Sequence, residues 1–113
     1  MKLSEYKVNF KNEEIYLYQT RYVDNDNRAL VAFSNAGTEI APELEPYMTI
    51  SVNIEDKIPD PMIIIKDYSE NKGIYQCLMD NGYIKEFIGD IPLGYTHGKL
   101  VVLENYDFPI LQR

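Results

Sequence analysis

The chain has 113 residues, 45% hydrophobic and 26% charged, with a net charge of −7. That length and balance suit one folded domain, residues 1–113, with room for a single core but not for a core plus a large cofactor cleft. No apolar run approaches the roughly 20 residues of a membrane span. No Lys/Arg cluster offers phosphate neutralisation to nucleic acid. The single cysteine excludes an internal disulfide or a thiolate-clustered metal site.

The opening "MKLSEYKVNFKN" has basic residues but no apolar core of a signal peptide, so a cytoplasmic location is expected. Tyr6, Val8 and Phe10 alternate with Lys7, Asn9 and Lys11, which predicts a short first strand. "KNEE" turns the chain. "IYLYQTRYV" reads as a longer strand, with Ile15, Leu17 and Val23 on one face and Tyr16, Tyr18 and Tyr22 on the other. "DNDN" at 24–27 is a turn, because Asn and Asp tolerate left-handed backbone and bond to their own turns. "RALVAFS" is the return strand, and "NAGTEIAPELEP" is a loop punctuated by Gly37, Pro42 and Pro46.

"PYMTISVNIED", residues 46–56, is the most regular stretch. Met48, Ile50, Val52 and Ile54 alternate with Thr49, Ser51, Asn53 and Glu55, giving a strand with one apolar and one polar face. After "KIPDP", the run "MIIIK" lacks alternation and predicts a strand covered on both sides. The period then changes. Ile74, Cys77 and Leu78 form one stripe of a helix, with Ser69 as its N-cap, Glu70 in its first turn and Gly82 at its left-handed end. Gly73, inside the first turns, costs about 1 kcal/mol relative to Ala, with no sequence-level reason. "GYIKEFIGDIPLGYTHG" reads as a glycine-punctuated loop, and "KLVVLENY" closes the chain as a strand.

These elements predict an α+β domain: a mainly antiparallel sheet of about five to six strands, with one principal helix in the C-terminal half packed on one face. The helix is expected to cover Met48, Ile50, Val52 and Ile54. The expected core brings Ile50, Val52, Ile64, Cys77 and Leu78 together. Thr49, Ser51 and Asn53 should then point away, towards water or a partner.

Charge is uneven. Residues 22–65 hold eight acids and two bases, a net −6, against −1 for the rest. A solubilising surface and a contact for a basic protein both fit this pattern, whereas nucleic acid and anionic membranes do not. His97, the only histidine, falls in a predicted loop without an identifiable partner, and Cys77 lies in the helix stripe as a small buried hydrophobe. "DNDNRA" begins like a calcium loop but fails where Arg28, Ala29 and Asn35 replace the required ligands and glycine. No phosphate loop or nucleophile elbow is present. The sequence therefore assigns no catalytic, cofactor-binding or metal residues.

"EPYMTISVNI", the Pro-rich bend after it and "YSENKGIYQCLMDNGYI" resemble a family of small acidic bacterial proteins of unknown function, found in conjugative and other mobile elements of Firmicutes. The resemblance covers residues 28–106 and implies no activity. Together these readings lead to a non-enzymatic interaction module that binds a basic protein through Glu43, Glu45, Thr49, Ser51, Asn53, Glu55 and Asp56. An antirestriction-like DNA mimic is the alternative, and a small enzyme the third.

Overall fold

The computed structural model describes residues 2–111. The fold is α+β, with antiparallel strands and one α-helix. Its first sheet has the order β1-β2-β3-β4, from β1 (Lys7–Phe10), β2 (Glu13–Arg21), β3 (Arg28–Asn35) and β4 (Leu44–Thr49). The β1–β2 hairpin turns on Lys11 and Asn12, both at positive φ (51° and 65°). Such a two-residue turn matches the twist of the flanking strands. It sets Phe10 opposite Glu13 and so turns Ile15 and Leu17 inward, both fully buried. Val23 does not join them. The strand ends at Arg21, the next turn begins, and Val23 stands 85% exposed.

The tyrosines of the outward face are structural. Tyr18 is fully buried; its hydroxyl donates to Lys2 O (2.7 Å) and accepts from Ser4 N (2.9 Å), and its ring packs edge-on against Phe33. A buried tyrosine needs such a partner for its hydroxyl. Past the end of β1, residues 109–111 take over its edge of β2. Gln19 N donates to Pro109 O (2.9 Å), and Leu111 N donates to Gln19 O (2.8 Å).

The second sheet has the order β5-β6-β8-β7, from β5 (Ser51–Val52), β6 (Met62–Ile65), β7 (Ile84–Pro92) and β8 (His97–Leu103). The single sheet of five to six strands is therefore corrected to eight strands in two sheets among the described residues. The regular stretch 46–56 crosses from one sheet to the other at Ile50. Its N–H donates to Leu30 O in the first sheet (2.9 Å), and its C=O accepts from Lys66 N beside the second (2.8 Å). Alternation continues through such a switch, so a period of two conceals it.

β6 matches its expected double cover, with Ile63, Ile64 and Ile65 all buried. Its two faces differ. Ile63 and Ile65 enter the core with Ile50 and Leu78, while Ile64 pairs with Val52 across β5–β6 on the reverse side. There Ile64 and Leu93 close over Gly98 and leave no space for a Cβ. The expected cluster of five is thus split between the two faces.

The segment expected as a loop after the helix is instead β7, a nine-residue edge strand paired with β8. Two register irregularities, at Ile84/Glu86 and Phe87/Gly89, break its period of two, and Gly89 and Pro92 read as breakers.

The helix α1 is Ile74–Asp80, shorter than the 69–82 stripe. Ser69 does not cap it; Ser69–Asn71 form a 3₁₀ turn. Asp67 Oδ1 accepts from Gly73 N (3.1 Å) and Tyr75 N (2.9 Å) instead. Gly73 sits at φ 100°, which explains the glycine: the helix starts from a left-handed residue. Gly82, at φ 78°, ends it as expected. α1 packs against the edge strands β1 and β7 rather than across residues 48–54. Ile74 and Leu78 fill the core there, while Cys77 is only half-buried, with Sγ 3.3 Å from Asn9 O. Tyr83 joins the same seam, its hydroxyl donating to Lys7 O and accepting from Lys7 N (both 3.1 Å).

Candidate functional site

The antiparallel register sorts the charges to the two ends of the first sheet. One end gathers the β1–β2 turn, the start of β2 and the β3–β4 loop. Residues 11–14 and 35–45 hold Glu13, Glu14, Glu39, Glu43 and Glu45 against Lys11 alone, a net −4. All five acids are exposed, and among the described residues only Glu14 is ion-paired, to Lys7 at 3.4 Å.

The β3–β4 loop, which carries Glu39 and Glu43, is tightly folded. Asn35 Oδ1 accepts from Gly37 N (2.9 Å) and Glu43 N (2.8 Å), Thr38 Oγ1 accepts from Ala41 N (3.0 Å), and Ala36 N donates to Glu43 O (2.9 Å). The backbone of Ala41 and Glu43 lies so close over Gly37 that a Cβ there collides with it. A shallow cleft of about 420 Å³ results, walled by Glu13, Glu14, Tyr16 and Glu39. Inside it the Tyr16 hydroxyl donates to Glu14 Oε1 at 2.6 Å. That bond holds the Glu14 carboxyl below its usual range and, with burial, pushes Tyr16 up to about 12.

The opposite end is chemically different. Residues 21–28 and 53–60 carry five acids and three bases, a net −2. Three asparagines bind the β2–β3 turn to the 53–58 loop. Asn27, 1% exposed, donates through Nδ2 to Asn53 Oδ1 (3.0 Å) and Asp56 O (2.9 Å), and its Oδ1 accepts from Ile58 N (2.7 Å). Asn25 Nδ2 donates to Ile54 O (2.6 Å), and Asn53 Nδ2 donates to Asn25 Oδ1 (3.3 Å).

This geometry corrects the expected polar face. Ser51 is 3% exposed; its Oγ accepts from Leu30 N (3.0 Å) and pairs with the Tyr22 hydroxyl (3.0 Å). Asn53 is half-buried in the asparagine network. Both side chains satisfy backbone or partner groups that the sheet switch leaves unpaired. Thr49 is exposed at the end of β4, and its carbonyl accepts from Asn71 Nδ2 (2.8 Å). Glu43 and Glu45 stand at one end of β4; Glu55 and Asp56 lie beyond the other. From Glu45 to Thr49 alone the strand spans about 13 Å, more than the Debye length of about 8 Å at physiological salt. The seven residues do not form one surface. The acids form two end groups rather than the paired rows a phosphate-backbone mimic needs.

The remaining chemistry-bearing residues stand apart. His97 is exposed at the start of β8, opposite Pro92, and its side chain makes no hydrogen bond or ion pair to any described residue. Burial, with Asp80 nearby, pushes the Cys77 thiol up, away from the reactive thiolate. Among the described residues no three His, Cys, Asp or Glu side chains converge to hold a metal, and no helix is long and apolar enough to cross a membrane. Comparison with protein-family models, with curated proteins and with solved structures gave no match. Glu13, Glu14 and Glu39 were not singled out from the sequence. The signal was the "KNEE" turn, whose hairpin register carries Glu13 and Glu14 to the same end as the β3–β4 loop.

Proposed function

We propose that this protein is a non-enzymatic binding module that holds a basic protein segment against the acidic end of its first sheet, at Glu13, Glu39, Glu43 and Glu45. One observation carries the reading: a group of exposed acids without a cation partner among the described residues, Glu39 and Glu43 on a loop whose backbone is fixed by its own hydrogen bonds, and Glu13 and Glu45 on the strands beside it. A solubilising surface needs charge but no fixed geometry. A docking surface gains from preorganisation, because less side-chain and loop entropy is lost on binding. The proposed setting, a bacterial mobile element, rests on the sequence resemblance alone, and the cytoplasmic location on the lack of an apolar signal-peptide core at the N-terminus.

The test compares the two ends. A short lysine-rich peptide, and the same peptide with acetylated lysines, are titrated against three proteins. These are the wild type, the triple variant Glu39→Lys/Glu43→Lys/Glu45→Lys, and the triple variant Asp24→Lys/Glu55→Lys/Asp56→Lys. The expected result is salt-dependent binding of the charged peptide that the first variant loses and the second retains. Equal loss in both variants would make the acids a diffuse field and sink the proposal, as would equal binding by both.

A further inference from the structure

The other end of the first sheet, though net acidic, holds a local excess of cations around Asp60. Arg21 grips Asp60 with both arms of its guanidinium, Nη1 to Oδ1 at 2.8 Å and Nη2 to Oδ2 at 2.7 Å. Arg28 pairs with Arg21 across the β2–β3 register and turns to the same carboxylate, but its Nε stops 3.6 Å from Oδ1. The Arg28 side chain is only 16% exposed, its Nε is fully buried, and its guanidinium makes no hydrogen bond among the described residues. Two guanidinium groups therefore share one carboxylate that the first already occupies. Asp26 also draws on Arg21 from the turn, and Lys57, which donates to Asp26 O at 2.9 Å, stands beside it.

Burying the Arg28 Nε–H with no acceptor in hydrogen-bond reach among the described residues costs free energy that a native fold normally offsets with a partner, and an anion supplies one. The space for one is present. Arg28 and Arg21 line a cleft of about 350 Å³ together with Gln19, Thr20 and Ile110. It opens where residues 109–111 stop covering the edge of β2. Leu17 and Gln19 point their amides to that edge, at Tyr6 O and Pro109 O. The alternation carries the next such amide to Arg21, within the cleft lining.

We propose that this cleft binds a carboxylate carrying a short apolar tail. The head follows from charge: two guanidinium groups against Asp60 leave one positive charge, which a monoanion neutralises and a dianion overshoots. A planar carboxylate also fits the guanidinium fork. The tail follows from Ile110, which adds an apolar wall to the cleft and is 67% exposed. The volume is on the order of ten water-sized spaces of about 30 Å³ each, enough for the eight heavy atoms of hexanoate. The site lies at the far end of the sheet from the proposed acidic docking surface, so either can fail without the other.

The test is a titration of the isotope-labelled full chain with sodium hexanoate, hexanamide, acetate and inorganic phosphate, followed by amide chemical shifts. Hexanoate should give saturable shifts at residues 19–21, Arg28 and Ile110, and the uncharged amide none. Arg28→Gln should weaken hexanoate by at least about tenfold, the worth of one charge-assisted contact, and Ile110→Ser should reduce hexanoate to the level of acetate. If Arg28→Gln does not fold, the wild-type shift map and Ile110→Ser decide the matter. The proposal is overturned if hexanamide binds equally, if phosphate binds more tightly than hexanoate, if the shifts fall elsewhere, or if hexanoate gives no saturable shift up to its solubility limit.

Discussion

The two ends of the first sheet carry the same number of acids and use them in opposite ways. At the end built from residues 11–14 and 35–45, five carboxylates face water with one lysine among them, on a loop that bonds mainly to itself and on the strand ends beside it. At the end built from residues 21–28 and 53–60, five acids sit among three bases and three asparagines that tie the first sheet to the β5–β6 loop of the second. Composition treats both as acidic. Packing makes one a surface and the other a joint.

The sharpest way to break that comparison is Asn27→Ala. It removes two donors and one acceptor in a buried setting and leaves the Ile58 amide unpaired. A loss of about 3 kcal/mol is expected in urea unfolding. If Asn27→Ala cost no more than Glu43→Ala, the joint would not be a joint.

Asp60 gives the next largest effect. Its hydrogen bonds to Arg21 hold its carboxyl below the ordinary aspartate value, about 4. A depressed carboxylate contributes stability that is present above its unfolded value and is lost as pH falls through its folded value. With its side chain 42% exposed, solvent screening limits the contribution to about 1 kcal/mol or less. Stability should therefore decline below about pH 4, and Asp60→Asn should flatten part of that decline. An unchanged acid limb in the variant would remove the Arg21–Asp60 pair from the account.

Charge reversal at the acidic end should do less. Glu43→Lys and Glu45→Lys alter exposed side chains, and each should stay within about 0.5 kcal/mol of the wild type. Relief of repulsion should make the change favourable at low salt. Destabilisation beyond that range, measured by thermal unfolding, would mean the acids serve the fold after all.

The smallest effect on stability is the most local readout. Tyr16 should titrate near 12, and Glu14→Gln should bring it down towards the usual tyrosine value, visible in ultraviolet absorbance. Because its folded value is raised, any stability tied to its protonation is present below the unfolded value and fades as pH rises from about 10 towards 12. Tyr18 provides the internal control, raised mainly by its burial and not by a carboxylate.

The sequence was legible where one physical rule acted alone. Alternation marked β1, aromatic and β-branched content marked β2, the 24–27 turn marked the return in β3, the doubly covered run marked β6, and Gly82 marked the end of α1. It failed where tertiary structure reused a regular pattern. Ile50 alternates correctly in both sheets, so nothing local shows that the strand changes partner there. Ser51 and Asn53 look like a wet face because short polar side chains serve water and buried backbone equally well. β7 was hidden by its own irregularities, which an edge strand tolerates. Ser69 was the obvious cap, but Asp67, two residues earlier, does the capping across a 3₁₀ turn that periodicity does not show. Of the candidate site, the acids of the β3–β4 loop were visible as a cluster. Their separation from Glu55 and Asp56, and the union of Arg21 with Arg28 and Asp60, depend on contacts distant in sequence.

The pairing of residues 109–111 with β2 also has a temporal side. Gln19 emerges early in synthesis, whereas its backbone partners, Pro109 and Leu111, come about 90 residues later. At about 5–20 residues per second, the outer edge of β2 waits roughly 5–20 s for its cover. For that interval a strand rich in aromatic and β-branched residues has an open edge, the feature that templates unwanted pairing. The charges of Glu13, Glu14 and Arg21, on the same strand and made at the same moment, are the protection the nascent chain carries with it until residues 109–111 arrive.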